Sequence, residues 1–249
     1  MRGAAAPSLV AALILLSTQT PAAAERVYAA IAANFTKVAE TLAADFEAAT
    51  GHDVVLSFGA TGTLYTQITQ GAPFEVFFSA DDRRTAAAVE DGFGVAGTEF
   101  TYAVGKVVLY SPLIDVTDGA EVLRGGAFRH IAIADPATAP YGAAAMAVLD
   151  RLGVTEAVRP KIVTGENTSQ TLQFVESGSA ELGFVALSQV IGQPDARIWR
   201  VPQEDYPAIR QNAVLLKAGE ANEAAKAFLD YVKGPAAVKV IEAAGYAVE

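Results

Sequence analysis

The sequence predicts an α/β protein of two lobes, each a mainly parallel sheet flanked by helices, with a cleft between them. Three observations carry this expectation. From Val27 onward short β-rich runs alternate with amphipathic helical runs, the pattern of parallel strands joined by helical crossovers. A long extended stretch over 101–110 interrupts the series, which then starts again, and a further extended stretch at 213–216 returns near the C-terminus. Two units joined by two crossovers follow, with boundaries at 25–105 and 207–249 for lobe 1 and 106–206 for lobe 2.

The first 24 residues read as a secretory signal peptide. Arg2 supplies the positive start, 9–16 an apolar core, and Ala22, Ala23 and Ala24 a small-residue cleavage site before Glu25. That apolar run is too short for a bilayer, which takes about 20 residues. The mature protein is expected in the periplasm after cleavage behind Ala24, without membrane insertion.

The elements of lobe 1 follow in order. A strand over 27–31 leads to a helix over 34–50 with Phe35, Val38, Leu42 and Phe46 on one face and Gly51 as its cap. A strand over 53–58 runs into Gly59-Ala60-Thr61-Gly62-Thr63 and a short helix that Gly71 and Pro73 end. A strand over 75–78 precedes a helix over 79–90, with Asp81 and Asp82 in the first turn, where the helix dipole favours them. Lobe 2 repeats the construction without repeating residues: strand 130–134, loop 135–142, helix 143–152 capped by Gly153, strand 161–163, helix 168–176, strand 182–186. Helices over 221–232 and 236–244, split by Gly234-Pro235, close the chain.

Composition excludes several function classes. A formal charge of −10 repels nucleic acid, anionic membranes and anions in general, so an anion site must work locally. Cysteine is absent, which removes disulfides, thiolate metal sites, thiol nucleophiles and a cysteine-linked lipid anchor. Gly92-Phe93-Gly94-Val95-Ala96-Gly97 spells a dinucleotide fingerprint but follows a helix instead of a strand, and Lys106 lacks the rest of a phosphate loop. His52 and His130, the only histidines, each adjoin a predicted strand end and suit neither catalysis nor a metal. Asn34 and Asn167 head two glycosylation sequons but are read as helix caps. Trp199 is assigned to packing, and Glu204-Asp205 to a solvated loop.

What remains is a set of strand-to-helix turns furnished with small and hydroxyl residues: Ala33-Asn34, Ala60 to Thr63, Ser79-Ala80 and Asn167-Thr168-Ser169, with Pro140-Tyr141-Gly142 as a fifth. Each helix start exposes unpaired N–H groups and about half a positive charge. Four such poles sum to roughly +2, enough for a doubly charged oxyanion without a basic side chain. Every α/β protein has capped turns, so these residues alone reach only as far as an anion in a cleft.

The stretches 27–84, 133–153, 165–190 and 224–246, behind the signal peptide, resemble the periplasmic molybdate-binding proteins of ABC transporters across nearly all of the mature chain. The resemblance implies a type II periplasmic-binding-protein fold that holds molybdate or tungstate by neutral hydrogen bonds, with no cofactor and no catalysis. It implies oxyanion contacts at Asn34, Thr61, Ala80, Tyr141 and Thr168, made to the oxygens of the ion and not to its metal. Thr61 and Tyr141 would offer hydroxyls, Asn34 an amide, and Ala80 and Thr168 mainly backbone N–H. Many members carry serines in place of Asn34 and Thr61, and some a tyrosine in place of Ala186, so Tyr141 would bring its phenol from another direction. A monomer that hands its ligand to a membrane permease is implied. Sulfate and phosphate receptors stay open, the latter if Asp81 or Asp135 accepts the ligand's proton. A secreted phosphoester hydrolase would need a nucleophile and base that the sequence poorly supplies.

Overall fold

The computed structural model describes residues 24–249, so the segment expected to be a signal peptide, Ala24 apart, lies outside the described residues. The first stretch runs β1 (Arg26–Ala32), a 3-10 turn (Ala33–Phe35), α1 (Thr36–Thr50), β2 (Asp53–Gly59), α2 (Thr61–Thr69), β3 (Val76–Phe78), α3 (Arg83–Glu90) and β4 (Phe100–Gly105). The middle runs β5 (Val107–Tyr110), α4 (Gly119–Gly125), β6 (Ile131–Ala134), α5 (Pro140–Leu152), α6 (Thr155–Val158), β7 (Ile162–Gly165), α7 (Thr168–Glu176), β8 (Leu182–Ala186), α8 (Leu187–Val190) and β9 (Ile198–Arg200). The chain ends with β10 (Ile209–Leu215), α9 (Glu223–Val232) and α10 (Pro235–Ala243). No helix among the described residues is long and apolar enough to cross a membrane.

Two five-stranded sheets result, ordered β2-β1-β3-β10-β4 and β7-β6-β8-β5-β9. In the first, β1 is parallel to β2 and β3, while β10 is antiparallel to β3 and β4. In the second, β6 is parallel to β7 and β8, while β5 is antiparallel to β8 and β9. The sheets are therefore mixed: each has a parallel trio built by helical crossovers, one strand that enters from the opposite lobe and runs against it (β10 or β5), and an edge strand beyond that runs with the trio (β4 or β9). The extended stretch over 101–110 is two strands in different sheets, β4 and β5, with only Lys106 between them. The return crossing sits beside it, since Ile209 faces Gly105 in register and the Val107 N–H donates to Tyr206 Oη at 3.2 Å.

Apolar spacing explains the packing. Along α1, Val38, Leu42 and Phe46 fall on one face and join Ile31, Phe78 and Phe228 in the core beneath the first sheet. Leu109, Ile133, Leu149 and Phe184 do the same in the second lobe, with Tyr141 among them. Each fully buried side chain of this size contributes roughly 1.5–3 kcal/mol.

Three helix starts differ from expectation. The segment at 79–82 is a bend, and α3 begins at Arg83, because Ser79 and Asp81 bond locally: the Asp81 N–H donates to Ser79 Oγ at 3.1 Å and the Arg84 N–H to Asp81 Oδ1 at 2.9 Å. Asn34 is no cap; it lies inside the 3-10 turn, ahead of α1. And α5 starts at Pro140, three residues early, with proline at the first helical position, where its missing N–H costs nothing. His52 and His130 precede β2 and β6, at the amino ends of strands.

Candidate functional site

The carboxyl ends of five of the six parallel strands, β1, β2, β3, β6 and β7, lead into Asn34, Thr61, Ala80, the loop to Tyr141, and Thr168 in turn. Open α/β sheets take ligands in the crevice outside such ends. All five residues line one small cavity between the lobes. These five residues are only 1–4% exposed.

Three α-helices begin on this cavity: α2 at Thr61, α5 at Pro140 and α7 at Thr168. Each directs a pole of about half a positive charge inward. Asn167 caps α7, accepting the Ser169 and Gln170 N–H groups at 3.0 Å, as the sequence led us to expect. The other two expected poles are built differently: Asn34 stands in the 3-10 turn leading to α1, and Ala80 in the bend before α3. Close approach matters at Gly142, where a Cβ would lie 2.0 Å from the Ala134 carbonyl oxygen. Only glycine lets α5 settle on the end of β6 and aim Tyr141 at the cavity.

The hydroxyls define the chemistry. Thr61 Oγ1 accepts the Ala80 N–H at 2.9 Å, so that N–H is used within lobe 1 and the threonine proton is left to point elsewhere. Tyr141 Oη accepts from Gln211 Nε2 at 3.4 Å. Burial above all, with Tyr246, Tyr102 and Tyr206 nearby, pushes the Tyr141 hydroxyl well above its ordinary pKa, while the Gln211 bond works the other way; the phenol stays protonated. Thr168 Oγ1 is buried with no hydrogen-bond partner among the described residues. Leaving it so costs about 1–3 kcal/mol. The expectation for Thr168 was its backbone N–H; its hydroxyl is the group that lacks a partner.

No residue lining this cavity carries a formal charge. Asp81 is engaged by the Arg84 guanidinium and backbone, and the Asp135 carboxylate by the Ala137 N–H. A wider groove beside the crossovers holds Asp82, Arg83 and Arg210, so charge gathers outside the cavity. The lobes touch across the cleft: the Gly62 N–H donates to the Thr138 carbonyl at 2.9 Å, Arg84 Nη2 to the Ala137 carbonyl at 3.1 Å, and Ser188 Oγ to the Asn34 carbonyl at 3.0 Å. The molecule is in a closed form around a neutral, donor-rich chamber.

A family model described as bacterial extracellular solute-binding protein matches residues 27–247. The chain belongs to this family. A molybdate-binding protein of Rhodobacter capsulatus is 52% identical over 248 residues, covering 99% of this chain and 96% of that protein. One from Azotobacter vinelandii is 51% identical over 92% of each chain. The solved periplasmic molybdate-binding protein of Azotobacter vinelandii superposes with a TM-score of 0.84 at 41% identity, covering 90% of this chain and 99% of that one. The resemblance read from the sequence motifs and the type II fold are thereby borne out.

In this solute-binding protein the Asn34 side chain turns away from the role expected of it. Its amide nitrogen donates to Gln211 Oε1 at 2.7 Å and to Tyr246 Oη at 3.0 Å. What it retains toward the cavity is the backbone N–H of a helical first turn. Tyr246 Oη donates to the Asn34 carbonyl at 2.8 Å and meets Ser188 Oγ from the other lobe at 2.8 Å. Burial, partly offset by these bonds, moves the Tyr246 pKa to about 12. Gln211, Tyr246 and Ser188 were not read from the sequence. The one available signal was Gln211, a polar residue sharing the inward parity of Ile209 and Ala213, but the returning strand was expected to start two residues beyond it. Ala186 ends β8 fully buried in the same core cluster as Tyr141.

Proposed function

We propose that the protein captures molybdate, and with it tungstate, as a dianion in the interlobe cavity and passes it to the permease of an ABC transporter. Thr168 carries the reading: a buried hydroxyl without a partner, in a closed chamber free of charged side chains, is completed by a ligand that only accepts hydrogen bonds. Thr61, Tyr141 and Thr168 donate their hydroxyl protons, Asn34 its backbone N–H, and Ala80 holds Thr61 in place. These four bonds to a charged acceptor at about 1.5–3 kcal/mol each give a gross gain of roughly 6–12 kcal/mol, which reaches the scale of micromolar to nanomolar binding. The helix poles limit the desolvation cost because they are already oriented.

The lobes that close are 25–105 with 207–249, and 106–206. Cleavage after Ala24 releases a monomer into the periplasm. The protein forms and breaks no covalent bond, and the cargo leaves unchanged. A phosphate receptor is not favoured, since Asp81 and Asp135 are both engaged away from the cavity and no carboxylate stands in its wall to take the proton of hydrogen phosphate. A hydrolase is not favoured either, since both histidines stand at the opposite, amino ends of their strands. Calorimetry with molybdate, tungstate, sulfate and phosphate tests the reading. One-to-one binding of the first two is expected, and absence of heat with both would overturn it.

A further inference from the structure

We infer that Gln211 is a positioning residue that makes Tyr141 a hydrogen-bond donor only, and so selects fully deprotonated oxyanions over protonated ones of like charge. The inference rests on the oxyanion reading above and assigns a part of its specificity to a residue outside the cavity wall. Gln211 is fully buried on β10, in lobe 1, next to the return crossing. Its amide oxygen accepts Asn34 Nδ2 at 2.7 Å, and Tyr102 Oη shares its one proton between that oxygen and the Ser79 carbonyl, each at 3.1 Å. The short bond from Asn34 sets the orientation of the amide, which leaves Nε2 to face Tyr141 Oη at 3.4 Å across the lobe boundary.

A phenol has one proton and can accept from a neighbour. With an N–H of Gln211 directed at its oxygen, the Tyr141 proton points away from Gln211. Thr61 is treated the same way in the other lobe, its oxygen occupied by the Ala80 N–H. One donor on each side of the cleft is thus held in a single sense. The backbone is shaped around the Gln211 contact: a Cβ on Gly105 would lie 2.1 Å from Tyr141 Oη and 2.7 Å from Gln211 Nε2. At Tyr141 an oxyanion carrying a proton must place its O–H against a donor; molybdate carries none.

Gln211→Glu tests this, because one carboxylate oxygen can keep the Asn34 and Tyr102 bonds while the other becomes an acceptor for the Tyr141 proton. The phenol then shows a lone pair to the cavity. Affinities for molybdate and, by competition, hydrogen arsenate are measured at mildly alkaline pH, where both are dianions, so the added charge and any general loosening cancel in their ratio. A fall of at least about tenfold in the molybdate preference is expected, the worth of one charge-assisted bond. The same substitution in a Tyr141→Phe background should leave the ratio unchanged. An unaltered ratio with Tyr141 present, or an equal shift without it, overturns the inference. If the glutamate variant does not fold, Gln211→Met serves: molybdate affinity should drop about tenfold with Tyr141 present and under twofold in the Tyr141→Phe background, and equal losses overturn the inference. Failure of the unaltered protein to bind molybdate would instead sink the functional reading itself.

Discussion

Thr168→Val removes a hydroxyl that has no partner in the ligand-free closed form and, on the proposed function, gains one from the ion. The two states should respond oppositely. In the empty closed form the substitution relieves an unsatisfied buried group worth about 1–3 kcal/mol, so the melting temperature without ligand should hold or rise. In the complex it deletes a hydrogen bond to a charged acceptor worth about 1.5–3 kcal/mol. At 1.36 kcal/mol per factor of ten, the dissociation constant for molybdate should increase about 10- to 150-fold. Titration calorimetry reads the affinity, and thermal denaturation with and without molybdate reads both stabilities. A domain of this size shifts about 2–4 °C per kcal/mol. A ligand-free protein that melts more than about 4 °C lower, with molybdate affinity unchanged, would refute the reasoning: Thr168 would then be a packing residue whose hydroxyl serves the fold.

Gly105→Ala places a methyl group where the Tyr141 hydroxyl and the Gln211 amide meet, so Tyr141 must withdraw; calorimetry should show molybdate affinity falling at least about tenfold, and a variant that binds like the parent would contradict the placement of Tyr141. Burial raises the Tyr141 pKa, and a raised value means that the neutral form persists in the folded protein above the unfolded pKa near 10. Molybdate affinity should therefore stay level from neutral pH to about 10 and decline only beyond it; a decline beginning below about 9 would show that the phenol is not held neutral.

Much of this site was legible because five parallel strands each announce their carboxyl end with small or hydroxyl residues, from Ala33-Asn34 to Asn167-Thr168, and topology does the rest by bringing those ends together. Elements with strong periodicity, such as β8 over 182–186 and α7 over 168–176, fall where the apolar pattern puts them. Short elements escaped: α4, α6 and β9 span seven, four and three residues, too few for a repeat to show. The start of α3 was misplaced because Asp81 reads equally as a first-turn residue and as a side chain that captures the Arg84 N–H from outside the helix. The direction of the Asn34 amide could not be read at all. It depends on Gln211 and Tyr246, 177 and 212 residues away along the chain, and contacts at that range leave no local trace.

The chain passes from one sheet to the other at two neighbouring points, Lys106 and the segment before Ile209, tied by the Val107 to Tyr206 bond. Paired crossings so close together act as a single axle. Rotation about it would part the contacts far from the axle together, such as Gly62 with Thr138 and Arg84 with Ala137, so the grip on the cargo is expected to be either complete or absent. Residence time then measures how often the jaws swing open, and a permease that pries them apart needs no contact with the ion to unload it.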